Sequence, residues 1–378
     1  MNRLAVAVAI LLCIALGASP AAATHFTQTG SPGGPTVPWG FNEFWGFNEL
    51  NGMWNPGQSD LEIALANAIM PPGQSAHRLF VQWRRVEYTE NLYEHEPDSW
   101  AVTDRAYQAM QGAEPERKPV MVIHDAPDWA RNPDATCLVE GCTFPPDPDH
   151  YDDWQQFVQD AVTRYPNVRA IEVWNEPNLA RFWGPAPDPA RYVEVLARAK
   201  DAVASTGIDV PVITGALAPV RTTPDATPPL RISSRVFLRE IYELGGKDDF
   251  EGIGTHPFTM SKRMFEDMWV ELNRLFEVRD NHNDPGTPLW ITEISVSSDA
   301  AVAVGPSRQG KELVRLYHSI EGHEIESFII FRFHDAADGT PYIPYFQHTG
   351  VVELNLAPKP AYCWLGAEIG TPCGKVAQ

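Results

Sequence analysis

The stretch VRAIEVWNEPN, residues 168–178, decides how the rest of the chain is read. Its first half is a short apolar, β-branched run of the length that suits a strand buried on both faces. Its second half, Trp174-Asn175-Glu176-Pro177-Asn178, is polar and contains a proline that cannot continue a strand. Just upstream, residues 151–165 place Trp154, Phe157, Val158 and Ala161 at helical spacing. The order is therefore helix, strand, turn, and it recurs outward in both directions. Strand-like runs precede it at residues 76–82 and 119–123 and follow it at 210–214, 250–255, 288–292 and 325–331, and a further run, first in order, falls at 36–41. Met264, Met268, Leu272, Leu275 and Phe276 repeat the helical pattern later. Strands alternating with helices imply parallel βαβ units. Eight of them, with no glycine-rich dinucleotide fingerprint after the first, predict a closed α/β (β/α)8 TIM barrel rather than an open doubly wound sheet. No repeat or linker divides residues 24–378, so a single domain is expected.

In such a barrel, chemistry gathers at the carboxyl ends of the strands. Those ends carry Arg78 to Trp83 after the second strand, His124-Asp125 and then Trp129 after the third, and Asn175-Glu176 after the fourth. His256-Pro257-Phe258 follows the sixth, Thr292-Glu293 the seventh, and Arg332-Phe333-His334-Asp335 the eighth. Glutamates from strands four and seven face each other across one mouth. Cleaving a glycosidic bond needs a proton for the leaving oxygen and a negative charge near the developing oxocarbenium ion, which two carboxyl groups supply. Glu176, among Trp174, Phe182 and Trp183, is in the apolar setting that raises a carboxyl pKa and suits an acid. Glu293 stays ionised, supported by Arg78 or His256.

WNEPN after a fourth strand, paired with a glutamate in an Ile-Thr-Glu context after a seventh, resembles glycoside hydrolase clan A, the retaining (β/α)8 enzymes. The continuation through Leu179 to Phe182-Trp183 is similar to families 39 and 5, as are Arg78 through Trp83 to Val86-Glu87, and Gly350-Val351-Val352 with Pro358 to Tyr362. The resemblance covers most of residues 76–362. It implies Glu176 as acid/base, Glu293 as nucleophile, Asn175 as the group that hydrogen-bonds the sugar 2-hydroxyl, and Arg78 and His256 as site residues. His124, Trp129 and His334 are further candidates for the substrate site. Two departures stand out. Phe258 occupies the position where many members carry a tyrosine that bonds the nucleophile, leaving Tyr342 or Tyr345 as substitutes. Phe333 and His334 stand where a tryptophan platform often follows strand eight. Family 39 xylosidases also carry a β-sandwich, for which the roughly 45 residues after strand eight are too few.

Each assignment has a plainer counterpart. On that reading Arg78 would only pair a buried carboxylate such as Glu87, His256 would only satisfy a backbone group, and His124, Trp129 and His334 would fill core. Trp174 and Asn178 would then only shape the turn that presents Glu176. The retained glutamate pair favours hydrolysis over a binding-only degenerate barrel, while transglycosylation shares the same first half-reaction.

Composition sets the surroundings. Residues 1–23 place one basic residue before an apolar run that ends in Ala21-Ala22-Ala23, the pattern of a cleaved secretory signal, so an extracellular protein is expected. Of five cysteines, Cys13 lies in that segment. The rest suggest two local disulfides, Cys137 with Cys142 and Cys363 with Cys373. A net charge of -20 opposes nucleic acid and anionic lipid as partners and favours a neutral carbohydrate. No metal or cofactor is expected, because the eleven histidines show no ligand spacing. A monomer is expected.

Overall fold

The computed structural model describes residues 37–42, 56–70, 73–90, 100–112, 117–223, 226–258, 260–336 and 344–371. The expected signal segment and Tyr342 lie outside them. Eight strands run through these residues: β1 Trp39–Asn42, β2 Arg78–Gln82, β3 Val120–His124, β4 Ala170–Asn175, β5 Val212–Ala216, β6 Ile253–Thr255, β7 Leu289–Ile294 and β8 Ile325–Phe331. A helix follows each: α1 Pro56–Ala68, α2 Ala101–Gln111, α3 Tyr151–Arg164, α4 Pro189–Thr206, α5 Ser234–Glu243, α6 Met264–Asn281, α7 Pro306–Ile320 and α8 Pro360–Glu368. Capping follows the sequence locally. At α4, the Asp188 side chain accepts from the amides of Ala190 and Arg191, proline occupies the first turn, and Gly207 closes the helix in the left-handed region at φ 69°.

All strand pairs are parallel, in two four-stranded sheets ordered β1-β8-β7-β6 and β2-β3-β4-β5. The sheets meet at both edges. Trp39 bridges Ser75 at one seam, and Ile213 bridges Gly252 and Leu217 bridges Thr255 at the other, which completes the eight-stranded circuit of a TIM barrel. Both seams depend on glycine. A Cβ on Gly40 would lie 2.6 Å from the Ala76 carbonyl carbon, and one on Gly254 would lie 2.4 Å from the Thr214 oxygen. Only a bare backbone allows that approach.

The large core lies between strands and helices. A smaller cluster, Ala76, Val120, Ala170, Ile213, Trp290 and Ile329, draws one residue from each of six strand regions. Strand side chains alternate with a period of two. Two residues further along the same faces stand Arg78, Glu172 and Thr292, all buried. The barrel thus changes from apolar to charged as it approaches its carboxyl end.

The sixth strand is shorter than the expected 250–255. Residues Gly246–Asp249 form a 3-10 turn, and Phe250 packs on Tyr242 with ring centroids 5.6 Å apart. Cys137 and Cys142 form the expected disulfide. Cys363 is also disulfide-bonded, and its expected partner Cys373 lies outside the described residues.

Candidate active site

Glu176 and Glu293 converge at the carboxyl end of the barrel. An oxygen of each, together with a ring nitrogen of His256, lies within 4.8 Å of the others. Glu293 is the penultimate residue of β7, while Glu176 follows β4 on backbone bent away from the strand. Trp174 has φ 81° and Glu176 φ 44°, and Asp125 after β3 has φ 68°. Such conformations cost about 1–3 kcal/mol each and persist where surrounding contacts enforce them. Here the enforcing contacts are visible. The Glu176 amide donates to the Ala216 carbonyl at 3.0 Å, and the Trp174 indole donates to the Phe182 carbonyl at 2.5 Å. Asn178 donates to the carbonyls of Ala218 and Ile232 at 3.0 and 2.9 Å and accepts from the Ala218 amide at 3.0 Å. Trp174 and Asn178 therefore build the turn that presents Glu176.

The two carboxyls sit in different environments. Glu293 Oε1 accepts from Arg78 Nη1 at 2.5 Å and from Asn42 Nδ2 at 2.7 Å. Among the described residues, Glu176 makes no ion pair with an arginine or lysine. Burial pushes its carboxyl from 4.5 up to about 7, with Arg78 and Arg181 opposing that rise. Its Oε1 lies 2.8 Å from His256 Nδ1, which is also 3.6 Å from Glu293 Oε2. Burial lowers His256 to about 4 despite the nearby carboxylates, so its imidazole is neutral at neutral pH.

Arg78 organises this centre. It holds Glu172 through two bonds, Nε to Oε2 at 3.0 Å and Nη2 to Oε1 at 2.6 Å, and donates from Nη2 to Asn175 Oδ1 at 2.9 Å. Burial alone would weaken its charge, yet Glu172 and Glu293 more than offset this and raise its pKa. Glu87, the sequence-level alternative partner, instead accepts from the Trp83 indole at 2.7 Å. Because a guanidinium only donates, the Asn175 atom facing it is the oxygen, and its NH2 is turned the other way.

The remaining candidates separate. His124 is buried beside Phe80 and Trp174, and neither ring nitrogen has a hydrogen-bond partner among the described residues. Burial and then Arg78 lower its pKa to about 3. Trp129 is half-buried, edge-on to Trp83, and donates to the Glu87 carbonyl at 3.1 Å. His334 bonds through Nδ1 to the Asp335 carbonyl at 2.6 Å, and its Nε2 lies 3.4 Å from Glu62. Phe333 packs into the core against Phe41. Phe258 lies parallel to His256 on one side and to Phe331 on the other, at interplanar angles of 17° and 15°. Tyr345 does not replace the missing tyrosine. Its hydroxyl donates to the Ser295 carbonyl at 3.0 Å. Asn42, which the sequence reading missed, supplies a hydrogen bond to Glu293 from β1.

Glu176, His256 and Glu293 are spaced as a divalent cation would require. Arg78, bonded directly to Glu293, already places a positive charge against this set, which disfavours a second.

No family model matches the sequence. Solved structures do match in fold. A family 39 glycoside hydrolase from the gut symbiont Bacteroides cellulosilyticus WH2 superposes with a TM-score of 0.62 at 17% identity, over 88% of this chain and 64% of that one. A family 5 (subfamily 18) protein from Streptomyces cattleya, solved with GlcNAc, gives 0.63 at 14% identity, covering 89% and 80%. The fold is that of the clan A glycoside hydrolases. A monomeric beta-xylosidase from Caulobacter crescentus CB15 shares this clan A barrel with a TM-score of 0.60 at 17% identity, over 89% of this chain and 69% of that one. The chain thus spans just under two thirds of the Bacteroides protein. Among the described residues, no helix is long and apolar enough to cross a membrane.

Proposed function

We propose that this chain is a retaining glycoside hydrolase in which Glu293 attacks the anomeric carbon and Glu176 is the acid/base. One observation carries the reading: two carboxyl groups with oxygens within 4.8 Å, one held by Arg78 and Asn42 and the other raised to about 7. Oxygens this close are compatible with a retaining pair, whose carboxyl groups stand about 5–5.5 Å apart. Glu293 forms a glycosyl ester as Glu176 gives its proton to the departing oxygen. Glu176, now a carboxylate, takes a proton from water, which attacks the same carbon and returns Glu293 to its free form. The Asn175 NH2 suits a hydrogen bond to the sugar 2-hydroxyl. The substrate is a carbohydrate, and the Cys137–Cys142 bridge fits an oxidising, exported setting, in keeping with the signal pattern of residues 1–23.

The test is a panel of aryl glycosides. The Glu176→Gln variant is expected to keep glycosylation from activated leaving groups such as dinitrophenolate, lose it from poor ones, and recover turnover with azide. A folded wild-type protein that binds oligosaccharides yet turns over no member of the panel would leave binding without catalysis.

A further inference from the structure

The acid/base glutamate is one end of a continuous chain of side chains. Glu176 Oε1 lies 2.8 Å from His256 Nδ1, and His256 Nε2 lies 3.3 Å from Thr292 Oγ1. Thr292 Oγ1 in turn lies 3.3 Å from Glu172 Oε1. Thr292 and Glu172 are buried at 0% exposure, so no bulk water interrupts this part of the chain.

A proton inventory fixes the chain's direction. Glu172 is a carboxylate held by Arg78 and by the Ala216 amide, which donates to Oε1 at 3.0 Å. It can only accept. Thr292 has a single hydroxyl proton, and donating it to Glu172 leaves Oγ1 as an acceptor towards His256. The imidazole, neutral because burial depresses it, must then carry its proton on Nε2. Nδ1 is left with a lone pair facing Glu176 Oε1, and a hydrogen bond there requires the proton to be on Glu176.

We propose that Thr292 and His256 are positioning residues that hold the acid/base proton on Glu176: the Thr292 hydroxyl, committed to Glu172, selects the Nε2-protonated tautomer of His256, which accepts from the Glu176 carboxyl. Once Glu176 has given its proton to the leaving oxygen, its carboxylate faces a lone pair rather than a donor. That contact makes it a stronger base towards the incoming water. The inference rests on the acid/base reading of Glu176. The other charged groups around the pair are Arg78 on β2, Glu172 on β4, Arg181 in the following loop and Glu293 on β7. Arg78 and Arg181 have no acceptor atom, so neither can take the place of Thr292 Oγ1 as the acceptor from His256 Nε2.

Thr292→Val removes the hydroxyl at nearly constant volume, and Thr292→Ser restores it. Without the hydroxyl, His256 is released to the Nδ1-protonated tautomer, which donates to the Glu176 carboxylate and stabilises it. The basic limb of the kcat/KM pH profile is expected to move down by about one unit in Thr292→Val and to stay in place in Thr292→Ser. An unmoved basic limb in a folded Thr292→Val variant overturns the proposal. A second measurement needs no turnover. In 15N-histidine-labelled wild type at pH 6, the His256 resonance, assigned by its loss in His256→Gln, should show a pyrrole-type Nε2 and a pyridine-type Nδ1. The opposite tautomer overturns the relay even if the enzyme is active. Absence of glycosidase activity alongside the expected tautomer would refute the functional reading and leave the relay standing.

Discussion

Replacing Glu176 with glutamine should stabilise the protein in a pH-dependent way. Glu176 titrates near 4.5 in an unfolded chain and at about 7 in the fold, because burial disfavours its charged form. Between those values the folded state keeps a proton that the unfolded chain has lost. Stability therefore falls as pH rises through this window and stays reduced above it. The gap, at roughly 1.4 kcal/mol per pH unit, amounts to about 3 kcal/mol. The side chain retains 13% exposure, and solvent screening trims the effect to about 2–3 kcal/mol. Glutamine does not titrate, so the variant escapes the loss. Urea unfolding at pH 5 and pH 8 reads the difference. The variant is expected to gain under about 1 kcal/mol at pH 5 and about 2–3 kcal/mol at pH 8. An equal difference at both pH values would mean that the Glu176 carboxyl is not raised by the fold, and the argument for it as the acid would lose its electrostatic basis. Catalytic groups held in unfavourable surroundings often cost stability in this way.

Other outcomes follow from the same contacts. Glu172→Gln breaks a buried two-pronged pair with Arg78 and should cost about 3 kcal/mol of unfolding free energy, measured by denaturant titration, with under 1 kcal/mol as the contrary result. Asn42→Ala removes a 2.7 Å hydrogen bond to Glu293 and should lower kcat/KM about ten- to hundred-fold with the fold intact by circular dichroism; wild-type activity would exclude Asn42 from nucleophile support. His318 bonds Glu368 and Glu321, which raise it to about 9 and tie α8 to the end of α7. A raised histidine contributes stability below its unfolded pKa near 6.5 that is lost as pH rises through about 9, so His318→Ala should destabilise at pH 6 and not at pH 10.

The barrel was legible because buried parallel strands are apolar and the surrounding helices keep their own period. The strand limits shifted by about two residues at β4, β5 and β7, for a physical reason. A hydrophobic run stops at the first polar side chain, whereas the ladder continues beneath it: Asn175 pairs with Ala216, and Ile294 with Ile330 beyond Glu293. The site was legible where a turn-forming motif flanked the carboxyl, as at Glu176. Glu172 was harder to recognise, since a charge inside an apolar run carries no motif. The period of two from Ala170 places it inside the barrel, and that alternation was the available signal. Asn42 had no signal beyond its place at the end of a short first strand. The missing tyrosine at Phe258 was visible, but its replacement was sought among tyrosines, while the hydrogen bond comes from an amide on a strand distant in sequence. Arg78 was assigned to the site, and its bond to Glu172 rather than Glu87 depends on which strand faces it across the interior.

The central claim is that Glu293 becomes covalently glycosylated. Incubating the protein with a set of 2-deoxy-2-fluoro glycosyl fluorides slows release of the intermediate, and peptide mass spectrometry then locates the label. The account expects a single added fluoroglycosyl group on the peptide containing Glu293, absent after Glu293→Ala. A turning-over enzyme labelled at another residue, or never labelled while releasing product of inverted anomeric configuration, would contradict it.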